Sequence, residues 1–529
     1  MQNLYFFYGH TMFFINRWLL LHHKSFYKIV LGITSGALFI TSVHAQTATT
    51  NDSSTADTIQ ELKNEVQALS QKVDSLEDQQ DTDEKSTQTQ RFKNATTVTA
   101  SSKGFQIQSA DHQFNLNLKG LLQADDREFL TPNNNGASPG DGLYLRRARI
   151  IFDGTLWGAY SFRIEPEFGS RMGGAGGTSS TTATLATADV NIHYLEPLQF
   201  LVGRFKGPVG YERSQLVANN IWIENGLTQN LTTQYTEGFL AHGDIDDNVF
   251  SYGAGVFEDV RDNANTDIQS MIDNNNSFEG DVYVNPFKKT DIKALQGLGA
   301  GIAGSVGNRG DVGTASTASL ASYYTPGQIN LLTYNTKTAT GQTVTESEDG
   351  PAYRLTPVIY YYYGPFGAYA DYAVSSVRAL RSVTGTSTAA SPTGNRLTTF
   401  QNDAWQVVGS YVLTGENADY DNGVQPRNNF SLHDGNWGAF QLVARYGEMT
   451  LDNHYFTSTG TSTTGVGAAF ATQGPRTVTD IGVGLNWYLN SNVKAQFQYD
   501  YDGYTGGIWP VNPENADPNS FLTQLQLAF

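Results

Sequence analysis

The chain has 529 residues, 39% hydrophobic and 12% aromatic, with 53 glycines, no cysteine and a formal net charge of −18. The missing cysteines exclude disulfides, a thiol nucleophile and a lipid-modified N-terminal cysteine, and the acidic balance argues against a nucleic-acid partner. Charged residues make up 16% of the chain, below the roughly 25% of a soluble domain, yet no apolar run long enough for a spanning helix follows Ala45. A barrel reconciles these facts, because its strands show lipid only alternate side chains.

In chain order, Lys24 and Lys28 precede the apolar stretch Ile29–Ile40, and Ser42-Val43-His44-Ala45 places small residues at cleavage positions. Residues 1–45 are therefore expected to be an export signal. An uncleaved anchor is the alternative, disfavoured by the short apolar stretch and the polar run behind it. Residues 1–23 precede the basic and apolar stretch that such a signal needs, as a start codon assigned too early would leave them. The signal carries three basic residues (Arg17, Lys24, Lys28) and no acidic one, so the mature chain has 30 basic residues against 51 acidic.

Residues 46–57 read as a polar linker. Ile59, Leu62, Val66, Leu69, Val73 and Leu76 then recur with three- and four-residue spacing, the seam of a coiled coil with β-branched residues at a and leucines at d. Residues 58–79 are expected to join copies of the chain; an amphipathic helix packed on its own domain is the alternative. Residues 80–103 read as a second polar linker.

From 104 to 529 the hydrophobic period becomes two. Phe105-Gln106-Ile107-Gln108 opens the pattern. Ala188, Val190, Ile192 and Tyr194 share one face, as do Ile481, Val483, Leu485 and Trp487, and Val493, Ala495, Phe497 and Tyr499. The final segment sets Phe521, Leu525, Leu527 and Phe529 against Gln524 and Gln526. Tyr and Trp gather near segment ends, as interface girdles require. The expected fold is all-β: a transmembrane antiparallel barrel of about sixteen strands behind a short coiled-coil helix. Gly173–Ala183, Asp262–Asn276, Ser382–Asn395 and Ser458–Gly474 read as external loops. Tyr211–Glu237 lacks alternation and is a candidate for a loop that folds inward to narrow a pore; an ordinary external loop is the alternative.

Alternation also orients the charges. Arg147 and Arg149 face the lumen while Tyr144, Ala148, Ile150 and Phe152 face lipid; Arg146 breaks the pattern and demands an interface or a bulge. Arg163 shares a face with Glu165 and Glu167. Arg204 and Lys206 oppose Gly203 and Phe205, and Arg445 and Lys494 also point inward. These seven (Arg147, Arg149, Arg163, Arg204, Lys206, Arg445 and Lys494) are the pore-lining candidates. Lumen arginines offer several donors to one anion in a field focused by a narrow pore; alternatively each is cancelled by a carboxylate, Arg163 first, while Arg445 and Lys494 read as solvated. No metalloprotease, P-loop or nucleophile-elbow motif occurs, so no catalytic residue, metal or cofactor is expected. Asp125/Asp126 and Asp244/Asp246/Asp247 read as solvated turns.

Several stretches resemble the phosphate-selective porin O and P family. They are Leu145-Arg146-Arg147-Ala148-Arg149, Val202-Gly203-Arg204-Phe205-Lys206-Gly207-Pro208, Ala404-Trp405-Gln406 running into Tyr411-Val412-Leu413-Thr414-Gly415-Glu416, Gly435-Asn436-Trp437-Gly438-Ala439, Ala444-Arg445-Tyr446 and Asn486-Trp487-Tyr488-Leu489-Asn490. The resemblance implies a sixteen-stranded barrel, a homotrimer in the bacterial outer membrane, and passive diffusion of small polar solutes, among them anions such as phosphate or polyphosphate. Outer-membrane lipid and further copies of the chain would be its partners. A structural or tethering barrel with a periplasmic coiled coil and little channel activity is the competing function.

Overall fold

The computed structural model describes residues 53–93, 95–130, 141–169, 183–265, 276–310, 320–338, 340–387, 393–459, 465–508 and 519–529. The expected export signal, and the expected loop over 173–182, lie outside them. The chain divides into two units, Met1–Arg91 and Phe92–Phe529.

Helix α1 (Ser53–Lys93) overruns both ends of the heptad segment. The stretch read as a linker from 80 onward is helical to Lys93, because Gln, Glu, Asp and Lys extend a helix already nucleated without needing an apolar face. All six seam residues, Ile59 to Leu76, are exposed along α1.

Among the described residues, one continuous sheet of eighteen strands comprises a two-stranded hairpin, Thr97–Ser101 with Gly104–Gln108, and sixteen barrel strands. The hairpin begins inside the segment expected to be linker and pairs with the foot of the first barrel strand. The barrel strands are β1 (Asn115–Phe129), β2 (Gly142–Leu156), β3 (Tyr160–Glu167), β4 (Thr184–Leu195), β5 (Leu198–Phe205), β6 (Thr236–Ile245), β7 (Phe250–Glu258) and β8 (Asn276–Val284). They continue as β9 (Leu298–Gly310), β10 (Thr343–Tyr363), β11 (Phe366–Thr384), β12 (Gly394–Val412), β13 (Ala439–Thr450), β14 (Thr477–Tyr488), β15 (Val493–Thr505) and β16 (Asn519–Ala528). Each pairs antiparallel with its neighbour, and β16 pairs with β1 to close the ring.

Closure leaves none of the sixteen barrel strands as an open edge, which lipid demands. Phe529 extends the seam: its N–H donates to Gly120 O at 3.0 Å and its carbonyl accepts from Gly120 N at 2.9 Å. A Cβ at position 120 would lie 2.7 Å from the Phe529 ring, so only glycine lets the terminal aromatic lie across the join. Phe521, Leu525, Leu527 and Phe529 are exposed on the outer face, whereas Gln524 and Gln526 are buried inward.

Several connections turn inward and pack against one another inside the barrel. Leu227 and Leu231, between β5 and β6, pack with Leu320, Tyr323, Leu331 and Leu332, between β9 and β10, and with Tyr455 and Phe470, between β13 and β14. Phe400 of β12 stacks on Tyr455 at 3.8 Å. The expectation of an external loop at Ser458–Gly474 is therefore corrected: its apolar Phe470 is buried under the barrel mouth. Ser382–Asn395 shrinks likewise, since β11 runs to Thr384 and β12 starts at Gly394. The loop expected from Asp262 onward also begins inside, with Asp262 buried.

Candidate functional site

Residues 206–235, between β5 and β6, cross the lumen, and their sequence explains why. Val209, Trp222, Ile223, Leu227 and Leu231 are apolar at irregular spacing, so no strand could hide them on one face; folded inward, all five are buried. A segment so placed must have its backbone polar groups satisfied. Inward side chains of the wall do this. Lys494 Nζ donates to Asn220 O at 2.7 Å and Ala218 O at 3.2 Å. Gln526 reaches Ala218 O at 2.9 Å, and Gln496 and Asn486 reach Ile221 O at 3.1 and 2.9 Å. Gln498 Oε1 accepts from Ile223 N at 3.0 Å.

Two charged clamps fix the tip. Arg445 lies 4.4 Å from the centre of the Trp222 ring, and its guanidinium bridges Asp480 at 2.6 Å and Asp500 at 3.3 Å, all three side chains fully buried. On the other side Glu224 takes Arg127 at 2.8 Å, Arg146 at 2.5 Å and Arg147 at 4.0 Å. Burial alone would raise the Glu224 carboxyl, but Arg146, Arg127 and Arg147 outweigh it and hold the group well below the usual carboxylate range. Below the tip, Tyr211 is sandwiched between Tyr420 at 4.5 Å and Tyr360 at 5.1 Å, a stack that joins the loop to the β12–β13 turn and to the wall.

The bulge demanded at Arg146 exists. The β1–β2 register slips between Gln123↔Arg147 and Ala124↔Leu145, and the extra residue, Arg146, swings onto Glu224. The slip also reverses the parity of everything beyond it. Tyr144, expected toward lipid, turns inward to lie 5.0 Å from Arg127, while Leu143 and Leu145 are exposed.

The seven candidates separate. Arg149 is held by Glu167 at 2.5 Å and Glu165 at 2.6 Å across the β2–β3 ladder, and Arg163 by Glu165 at 2.7 Å. Arg147 donates to Gln123 at 2.7 Å. Lys206 donates to Gln215 O at 2.5 Å. Arg445 and Lys494, expected to be solvated, are buried beneath the inward loop. Arg204 does not join them: it stands on the row of Val202 and Phe200, opposite Ala188 and Glu237, and pairs with Glu237 at 3.3 Å. Its inward neighbours Leu201 and Phe205 pack with Leu240 and Phe257, so the parity assigned from sequence was inverted there, and Lys206 enters the lumen only because it lies past the strand end. Asp125 is also no solvated turn: it is fully buried and accepts from Gln524 at 2.7 Å.

Sequence reasoning missed Arg127 and Glu224 and gave Arg213 no role. Arg213 sits in a short helical turn, α2 (Tyr211–Ser214), and donates to Gln229 O at 2.7 Å. The break in alternation over Tyr211–Glu237 was the signal available for Glu224 and Arg213; Arg127 stands in the regular strand β1 and had none.

The sequence model of the phosphate-selective porin O and P family matches residues 114–529. No curated protein matches the chain. Among similar solved structures, the outer membrane channel DcaP of Acinetobacter baumannii is 11% identical, with 79% of this chain and 97% of that chain covered and a TM-score of 0.45. OmpF of Salmonella typhi is 13% identical, with 79% and 98% covered and a TM-score of 0.43. The anion-selective porin from Comamonas acidovorans is 10% identical, with 79% and 100% covered and a TM-score of 0.41.

Proposed function

Because the chain belongs to the phosphate-selective porin O and P family, we propose that its pore prefers anions and that Arg147, Lys206 and Arg213 set the preference. It is an outer-membrane porin, a passive diffusion channel for small polar solutes in the bacterial outer membrane. One observation carries the anion reading. Among the described residues Lys206 and Arg213 form no ion pair; both donate to neutral oxygens, Lys206 to Gln215 O and Arg213 to Gln229 O and Asn263 Oδ1. Arg147 likewise rests on a neutral partner, with Glu224 only at the edge of ion-pair range. Burial first, and then the guanidiniums of Arg149, Arg213 and Arg147, push Lys206 well below the ordinary lysine pKa. Like charges gathered without close ion pairs repel, and a mobile anion relieves that repulsion where a cation adds to it. The acidic balance of the mature chain does not oppose this, since many carboxylates of the wall are spent on Arg149, Arg163, Arg309, Arg354 and Arg445.

Recording from folded, heat-modifiable protein in a planar bilayer tests the proposal. In a KCl gradient the reversal potential moves toward the chloride potential, and Arg147→Gln moves it back. Cation selectivity of the unmodified protein would falsify the anion reading. The connections packed inside the barrel favour a second reading, a structural barrel with little conductance, and absence of current from folded protein would establish it.

We further propose a homotrimer assembled through α1. The exposed Ile59–Leu76 seam supports this: burying six large apolar side chains against equivalent helices is worth on the order of 1.5–3 kcal/mol each before ordering costs. Deleting 58–79 is expected to weaken the oligomer on sedimentation while single-channel conductance stays the same. An oligomer of unchanged stability would remove the seam's role.

A further inference from the structure

Asn263 lies in the connection between β7 and β8, far in sequence from the inward loop, yet it meets that loop at four points. Its N–H donates to Thr232 O at 2.8 Å. Its Oδ1 accepts from Arg213 Nη2 at 3.2 Å and from Gln234 Nε2 at 3.0 Å. Its Nδ2 donates to Asn230 Oδ1 at 3.2 Å, and also to Ser322 O at 3.3 Å in the connection between β9 and β10. Its backbone φ is 56°, in the left-handed region that asparagine tolerates better than most residues.

The short segment that carries Asn263 is fastened to the barrel wall. Asp259 binds Arg309 at 3.1 Å and Arg354 at 3.3 Å, and the adjacent Asp262 binds Arg354 at 2.8 Å. Arg309 is completed by Glu348, and Arg354 also donates to Val260 O. All five charged side chains are buried, and buried pairs with this many bonds hold a single geometry. The wall thus fixes Asp262, Asp262 fixes its neighbour Asn263, and Asn263 meets Arg213.

Arg213 needs such a support. Apart from Asn263 its guanidinium has one acceptor, Gln229 O, and its Nε is buried with none. A long side chain with so few bonds does not hold one rotamer unless something orients it.

We propose that Asn263 is the positioning residue of Arg213, so that the ion preference of the pore is set in part by a side chain that carries no charge. This rests on the reading of the Arg147–Lys206–Arg213 cluster given above. The chemistry recognised is that of a small oxyanion or halide meeting the free edge of an oriented guanidinium.

The test is a double-mutant cycle on the anion-to-cation permeability ratio, read from reversal potentials in KCl. Asn263→Gly removes the side chain and still tolerates the positive φ. It is expected to change the ratio by about threefold, the effect of displacing one unit charge by several ångströms near an ion path. In the Arg213→Gln background the same substitution leaves the ratio where Arg213→Gln alone put it. Should Asn263→Gly give no heat-modifiable protein, the near-isosteric Asn263→Asp takes its place in the cycle. Its effect must then be larger with Arg213 present, where it forms an ion pair, than in the Arg213→Gln background. Equal effects in both backgrounds, or none in either, overturn the proposal. The cycle measures coupling between two positions, so it stands or falls whichever ion the unmodified pore prefers. Cation selectivity of the unmodified pore refutes only the reading on which the cluster was assigned.

Discussion

Replacing Arg445 by leucine lowers the temperature at which the folded barrel loses its fast mobility in detergent gels, and by a wide margin. Among the described residues Arg445 is the only cation within ion-pair distance of Asp480 and Asp500, and all three side chains are fully buried. Removing the guanidinium strands two carboxylates with no water to solvate them, a loss on the order of 3–5 kcal/mol. The Trp222 ring loses its cation at the same time, on the order of 0.5–2 kcal/mol more. The inward loop is pinned at that ring, so open-channel current noise should rise along with the loss of stability. Arg445→Lys falls between the two, because an ammonium keeps the charge but cannot fork between two carboxylates while lying on an indole face. An unchanged transition temperature for Arg445→Leu would show that the buried cluster is compensated by something other than this arginine.

Glu224→Gln should raise the anion preference. Glu224 is the shared counter-charge of Arg127, Arg146 and Arg147, and glutamine keeps its shape while removing its charge. One unit charge about 7 Å from an ion in water is worth roughly 0.6 kcal/mol, near a factor of three for each ion, in opposite directions for anion and cation. The permeability ratio is therefore expected to climb between about threefold and tenfold. A ratio that falls or does not move would place the Glu224 clamp off the ion path. Acidification does not mimic the substitution. Its three guanidiniums hold Glu224 well below the ordinary carboxylate range, so it stays ionised while exposed carboxylates are being protonated.

These two residues show how far the sequence could be read. Arg445 was visible as an inward arginine between Ala444 and Tyr446, but as a solvated one. What buries it is Trp222, more than two hundred residues earlier, carried there by a loop whose path no local pattern encodes. Glu224 was invisible for the same reason. Arg149 was placed toward the lumen, but its partners could not be named from its own strand; Glu165 and Glu167 belong to the next strand, and which residues stand opposite one another depends on register. Tyr144 was assigned to the wrong side because one extra residue, Arg146, reverses parity for the rest of its strand. Arg204 was misassigned because Gly203 and Phe205 were taken for an outward face, although Phe205 packs in the lumen against Leu240 and Phe257.

By itself the sequence determined the all-β barrel, the outward row ending at Phe529, the need for a bulge at Arg146 and the irregular stretch at 211–237. Each follows from period-two alternation or its failure, which is a property of neighbours along one chain. Among the described residues, the tertiary structure alone decided which lumen cations lack a close ion pair. Lys494, Gln496, Gln498 and Gln526 support a loop and Arg445 closes a buried ion cluster, leaving Arg147, Lys206 and Arg213 without close ion pairs. Net electrostatics at a point depends on distances between side chains far apart in sequence, and those distances exist only once the barrel has closed and its connections have folded into it.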